Sequence, residues 1–98
     1  MTGRELTQKE IAEVRLNYPP GTRIELIHME DHWAVPSGTR GTVEYVDDAG
    51  QVHPIWDNGR TLAIVPQVDS FRKLTKQELL EEQQITALEK GEQQWQTM

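Results

Sequence analysis

The chain contains no cysteine, which excludes disulfide frameworks, thiolate metal sites and cysteine nucleophiles. Aromatic residues are few, with one phenylalanine, two tyrosines and three tryptophans, so each large ring belongs either to a small core or to a contact surface. Long apolar runs are missing too. Nothing approaches the roughly 20 apolar residues of a membrane span, and the N-terminal segment holds no apolar stretch of signal-peptide length. A soluble, cytoplasmic protein without membrane contact is therefore expected. Positive charge is scarce as well: ten Lys and Arg against sixteen Asp and Glu leave a net charge of −6, which opposes unspecific attraction to nucleic acid or anionic lipid. At 98 residues the chain supports one compact core.

What is present is a repeated device. Pro19-Pro20-Gly21-Thr22-Arg23 and Pro36-Ser37-Gly38-Thr39-Arg40 each lead into a run rich in β-formers. Proline fixes its own φ and glycine supplies the positive φ of a tight turn, so both read as corners that launch a strand. Strands are predicted over 22–29, 40–47, 51–57, 61–65 and 71–74. The three-residue spacing of Val43 and Val46 suggests a bulge between them. Pro54 places the third strand at an edge or a bulge, because proline cannot donate to a central ladder. Asp57-Asn58-Gly59-Arg60 carries the Asn-Gly pair of a type I′ hairpin turn, and residues 66–70 read as a tight turn. Residues 30–38 are too polar to continue a strand and form a long connecting loop that carries Trp33. Trp56 and Phe71 are assigned to the core.

Helices are predicted at both ends. Thr7 and Glu10 have the spacing of a capping box, with Leu6 and Ile11 as its hydrophobic staple. Ile11, Val14 and Tyr18 then share one face of a helix that stops before Pro19-Pro20. A second capping box, Thr75 with Glu78, opens a C-terminal helix in which Leu80, Ala87, Leu88 and Trp95 fall in one sector and Gly91 interrupts late. Residues 75–98 hold two basic and five acidic side chains, a charge of −3 and half the total. The predicted fold class is mainly β: a small five-stranded SH3-like barrel with a short N-terminal helix and a longer C-terminal helix. The expected organisation is an N-terminal helix over 1–18, the barrel over 19–74 and an acidic C-terminal helix over 75–98.

Catalytic and metal constellations are not read from this sequence. His28, His32 and His53 lie near Glu30 and Asp31, but a strand leaving into a loop does not supply the helical geometry that a four-residue histidine spacing needs. No metal site and no cofactor is assigned. Asp48 and Asp57 read as turn residues bonded to nearby amides rather than as members of a paired-carboxylate site with Asp47. Ser37 and Ser70 lack an adjacent base, and no phosphate-cradling glycine loop is present. The chain is not read as an enzyme. The partner-contact candidates are Trp33, Pro36 and Tyr45, with Leu80, Leu88 and Trp95 on the C-terminal helix. Arg23, Arg40 and Arg60 are the nucleic-acid candidates, with Arg72 extending the same stripe. Residues 19–74 hold five basic and eight acidic side chains, so such a stripe has to be local, and these arginines also suit ordinary surface ion pairs.

At Tyr18-Pro19-Pro20-Gly21-Thr22-Arg23, Pro36-Ser37-Gly38-Thr39-Arg40-Gly41-Thr42-Val43, Trp56-Asp57-Asn58-Gly59 and Asp69-Ser70-Phe71-Arg72 the chain resembles a known family. It is similar, over residues 18–74, to the bacterial and phage domain-of-unknown-function family numbered four-three-one-four. The resemblance implies an SH3-like barrel and a setting on phages and mobile elements, and it implies no catalytic residue, ligand or mechanism. The Gly38-Thr39-Arg40-Gly41-Thr42-Val43 turn is also similar to the RNA-contacting turn of ribosome- and transcription-associated barrels, a short pattern that does not carry function across folds. The expected function is a non-catalytic protein-interaction module that engages a protein partner through the Trp33 loop or the C-terminal helix. A homodimer through that helix is one form of it. Two other readings stand beside it: a nucleic-acid-associated barrel using Arg23, Arg40 and Arg60, and an acidic DNA mimic that inhibits a host defence nuclease.

Overall fold

Two turns of the same construction set the sheet. In the computed structural model, which describes the backbone of residues 5–89 and the side chains of residues 5–85, Gly21 and Gly38 take φ angles of 94° and 91°. The Thr22 and Thr39 amides donate to the carbonyls of Pro19 and Pro36, both at 3.1 Å. Each threonine hydroxyl adds a bond to the same carbonyl, at 2.7 and 2.6 Å. The turns are also reciprocal. Gly21 donates to Val43 at 2.8 Å and Gly38 to Leu26 at 2.7 Å, while Val43 and Leu26 donate back to Thr22 and Thr39, each at 2.9 Å. Each corner therefore extends the ladder of the strand that the other launches, at a positive φ that glycine adopts without a Cβ penalty.

Four strands follow: β1 (Arg23–His28), β2 (Arg40–Val46), β3 (Val52–Trp56) and β4 (Ser70–Lys73). Among the described residues they form one open antiparallel sheet in the order β3-β2-β1-β4. The β2–β3 register shifts between Val43 and Tyr45, the bulge expected from the Val43–Val46 spacing, and β3 with its Pro54 lies at the sheet edge. The strand expected over 61–65 is reduced to one bridge, Val52 with Ile64. The physical reason lies in β3. Pro54 has no N–H to offer the next rung, and the Leu62 carbonyl instead accepts the Trp56 indole N–H at 2.9 Å. The Asn58-Gly59 turn also differs from expectation. Gly59 has φ +90° but Asn58 does not have a positive φ, so the turn is not type I′; Gly59 donates to Trp56 and Trp56 to Arg60, both at 2.8 Å, as in a loop closed by a left-handed glycine.

The inward residues of the strands and of the connecting loop make one core: Ile24, Leu26, Met29, Val35, Val43, Val52, Trp56 and Ile64, with Val14, Tyr18, Leu62 and Phe71 packed at its margin. Each fully buried side chain of this size contributes roughly 1.5–3 kcal/mol. Trp56 packs close to Gly41, where an added Cβ would come within 2.9 Å of the indole. Phe71 is only partly buried and meets Tyr18 at 5.0 Å between ring centroids.

Both capping boxes form as their spacing demands. In α1 (Gln8–Asn17) Glu10 N–H donates to the Thr7 hydroxyl at 3.1 Å and Thr7 N–H to the Glu10 carboxylate at 2.9 Å. Ile11 is the buried residue of this helix, and Arg15 ties it to the β2–β3 turn through Asp48 at 2.9 Å. In α2 (Lys76–Glu89) Thr75 and Glu78 make the equivalent pair of bonds at 2.8 and 3.1 Å. No described helix is long and apolar enough to cross a membrane.

Candidate functional site

The period of two in β1 sends Ile24 and Leu26 into the core and Arg23 and Glu25 to the outer face. Register then decides their neighbours. Glu25 faces Arg40 on one side and Arg72 on the other, and Arg23 faces Thr42. The Glu25 carboxylate accepts from Arg40 Nε at 3.0 Å and from Arg72 Nη2 at 3.1 Å. Arg23 donates both terminal nitrogens to the two oxygens of Asp57, each at 2.8 Å. Onto this face α2 lowers two glutamates one turn apart. Glu78 takes Arg72 at 2.8 and 2.7 Å, Glu82 takes Arg23 at 2.9 and 2.6 Å, and Arg40 reaches both glutamates at 3.2 Å. The Arg72 bonds, with the Thr75 amide, hold the Glu78 carboxyl down to about 2. The Arg23 guanidinium lowers Glu82 likewise, and the carboxylates raise the three arginines.

A second site is built from an irregular segment. The loop between β1 and β2 is pinned from both sides: Met29 and Val35 are buried, Glu30 N–H donates to the buried Asp69 carboxylate at 3.1 Å, and Ala34 N–H donates to the Asp31 carbonyl at 3.1 Å. Arg60 reaches across from the β3 turn and donates to the carbonyls of Trp33 and Ala34. The Asp31 carboxylate accepts the Trp33 amide at 2.7 Å. On this fixed backbone the Trp33 indole is 69% exposed, its ring contact being the edge of His32 at 5.0 Å. Pro36 is exposed on the same loop.

The comparisons with known proteins bear on the segment that carries these features. A family described as Domain of unknown function (DUF4314) matches residues 7–74. The chain belongs to this family. No curated protein and no solved structure matches the chain. The family segment starts at Thr7, earlier than the Tyr18 expected from motifs, and so takes in α1 as well as the sheet. It ends at Leu74. The DUF4314 domain therefore includes Arg23, Arg40, Arg72, Glu25 and Asp57 but not Glu78 or Glu82.

The sequence-predicted residues are distributed as follows. Trp33 and Pro36 share the loop, whereas Tyr45 lies toward the far end of β2, 48% exposed and stacked on His53 at 4.4 Å. Leu80 is 46% exposed and sits two residues from both Glu78 and Glu82, hence on the other side of α2. The Leu88 side chain and Trp95 lie outside the described residues. Arg23 and Arg40 belong to the sheet face and Arg60 to the loop, so the three do not make one stripe. Arg72 takes the third place. The turn aspartates also part from expectation: Asp47 rather than Asp48 accepts the Ala49 and Gln51 amides, both at 2.9 Å, and pairs with His53 at 2.8 Å, while Asp57 is spent on Arg23. Burial pushes the Asp47 carboxyl up, but His53 and these two amides together hold it low. His28 pairs with Glu30 at 2.8 Å, away from His53, and among the described residues no three such side chains are placed to share a metal ion. Sequence reasoning missed Glu25, Glu78 and Glu82. The four-residue spacing of the last two was the available signal.

Proposed function

We propose that this DUF4314 domain is a non-catalytic protein-interaction module whose contact point is Trp33, inserted into a concave apolar pocket of a protein partner. One observation carries the reading: a tryptophan 69% exposed on a loop whose backbone is held by Asp31, Asp69 and Arg60. An exposed indole on a mobile loop would be unremarkable, but a rigid one loses little conformational freedom on binding and has the size of a typical interface anchor. Pro36 extends the apolar tip. The finer architecture belongs to the same proposal. The Val52–Ile64 bridge folds the chain back over the β3 edge before β4 joins β1, which supports reading the sheet as a small SH3-like barrel.

The test is affinity capture from a bacterial lysate with the unaltered chain and with Trp33→Ala, both shown to be folded by thermal denaturation. The partner is expected on the first and to be lost from the second, at a cost of about 2 kcal/mol or more in binding. Equal capture by both chains removes Trp33 from the contact and the reading with it.

A further inference from the structure

We propose that the face formed by Arg23, Arg40 and Arg72 is a docking site for acidic helices, occupied in cis by α2 and open in trans to a partner helix with two glutamates one turn apart. The geometry of α2 is the template. Arg72 and Arg23 each grip both oxygens of one carboxylate, at 2.8 and 2.7 Å for Glu78 and at 2.9 and 2.6 Å for Glu82, and Arg40 bridges the pair. Planar guanidinium forks fix the orientation as well as the charge of what they bind. Two forks set one helical turn apart therefore select carboxylates at i and i+4 on a helix, rather than negative charge in general.

The present occupant is loosely attached. None of the described α2 side chains is buried, and Leu80 and Ile85 are 46% and 54% exposed. Arg23, Arg40, Thr42, Asp57, Glu82 and Ile85 line an open cleft of about 500 Å³ where helix meets sheet. The ion pairs themselves retain 20–35% side-chain exposure on the arginines and 21–27% on the two glutamates, a setting in which such pairs hold weakly. The family match ends at Leu74, the residue before the Thr75 cap, so the arginine face lies inside the matched domain and the helix that covers it lies outside. With α2 lifted, three guanidinium groups would face Asp57 and Glu25. One positive charge in excess suits a helix bringing two carboxylates, and it is a poor footing for a polyphosphate chain, which draws on many cationic contacts.

A fluorescent synthetic peptide with the sequence of residues 75–89 serves as the probe, and the same peptide with both glutamates of the pair replaced by glutamine as its control. The 98-residue chain carrying Glu78→Gln and Glu82→Gln keeps the whole core and uncovers the arginines. Fluorescence anisotropy is expected to show the glutamate probe binding this variant about tenfold tighter than the unaltered chain. The glutamine probe should bind neither, and adding Arg40→Gln and Arg72→Gln should abolish binding. Equal affinity of the two chains, equal binding of the two probes, or tighter binding of a short single-stranded DNA than of the glutamate probe overturns the proposal. Should the variant fail to fold, the unaltered chain answers the same question. Excess glutamate probe must then speed amide hydrogen exchange in residues 76–85 while the glutamine probe does not, and unchanged exchange overturns the proposal. Trp33 takes no part in this contact, so its failure and that of the loop reading are told apart.

Discussion

The loop between β1 and β2 has no regular structure and is firmly held, whereas α2 is regular over fourteen residues and is not. Met29 and Val35 of the loop are 6% and 2% exposed, and its backbone is bonded to Asp69, Arg60 and Leu26. α2 buries none of its described side chains and meets the sheet through Glu78 and Glu82. The difference follows from where backbone polar groups find partners. A helix satisfies its own N–H and C=O groups, and its capping box satisfies two more, so it asks little of its surroundings. An irregular segment has to recruit partners from elsewhere, and in doing so becomes tied to them. Regularity and anchoring are thus separate properties, and here they fall on opposite segments.

Asp69 carries most of the loop's anchoring. Its carboxylate is buried and accepts Val65 N–H at 2.8 Å and Glu30 N–H at 3.1 Å, joining the loop to the turn before β4. Asp69→Ala strands both donors and is expected to cost about 3 kcal/mol in thermal denaturation. Removing both α2 carboxylates with Glu78→Gln and Glu82→Gln should cost clearly less, because partly exposed ion pairs contribute little each. If the two losses came out equal, the helix would be as firmly held as the loop.

Acid should loosen α2 and leave the loop in place. Glu78 has an ordinary value of 4.5 and is held at about 2 in the folded chain by Arg72 and the Thr75 amide. A carboxyl depressed by folding adds stability that is complete above its unfolded value and is lost as pH falls through its folded one. The α2 attachment should therefore be intact above pH 4.5 and fail between there and about 2. Glu82, lowered by Arg23, shifts in the same sense. Amide chemical shifts of residues 76–85, followed by NMR during an acid titration, should report this step. A helix that keeps its native shifts through that range is held by something other than these carboxylates.

What could be seen in the sequence and what could not divides along the same line between local and distant partners. Thr7 with Glu10, Thr75 with Glu78, and the Pro-x-Gly-Thr turns are complete within four residues, and all of them form. The alternation of Arg23, Ile24, Glu25 and Leu26 is equally local, a period of two that sends Ile24 and Leu26 inward. The loss of the strand over 61–65 depended on a competition between the Trp56 indole and the ladder opposite Pro54, which no single segment displays. The arginine face needed the strand order, since Glu25 meets Arg40 and Arg72 only because β1 lies between β2 and β4. Arg60 was legible as a cation but not as a brace, because bonds to the Trp33 and Ala34 carbonyls leave no side-chain signature in those residues.

The smallest expected effect is the one that decides what Trp33 is for. Its indole touches the His32 edge and is otherwise 69% exposed. The bonds that fix the loop at this residue run through its amide to Asp31 and its carbonyl to Arg60, and alanine keeps both. Trp33→Ala should therefore change thermal stability by no more than about 0.5 kcal/mol, the range of surface substitutions away from special features. A loss well above this, measured in the same melts as Asp69→Ala, would mean that the indole braces the loop it stands on. Trp33 would then join Met29 and Val35 as an anchor of the segment, and its 69% exposure would no longer argue for a partner.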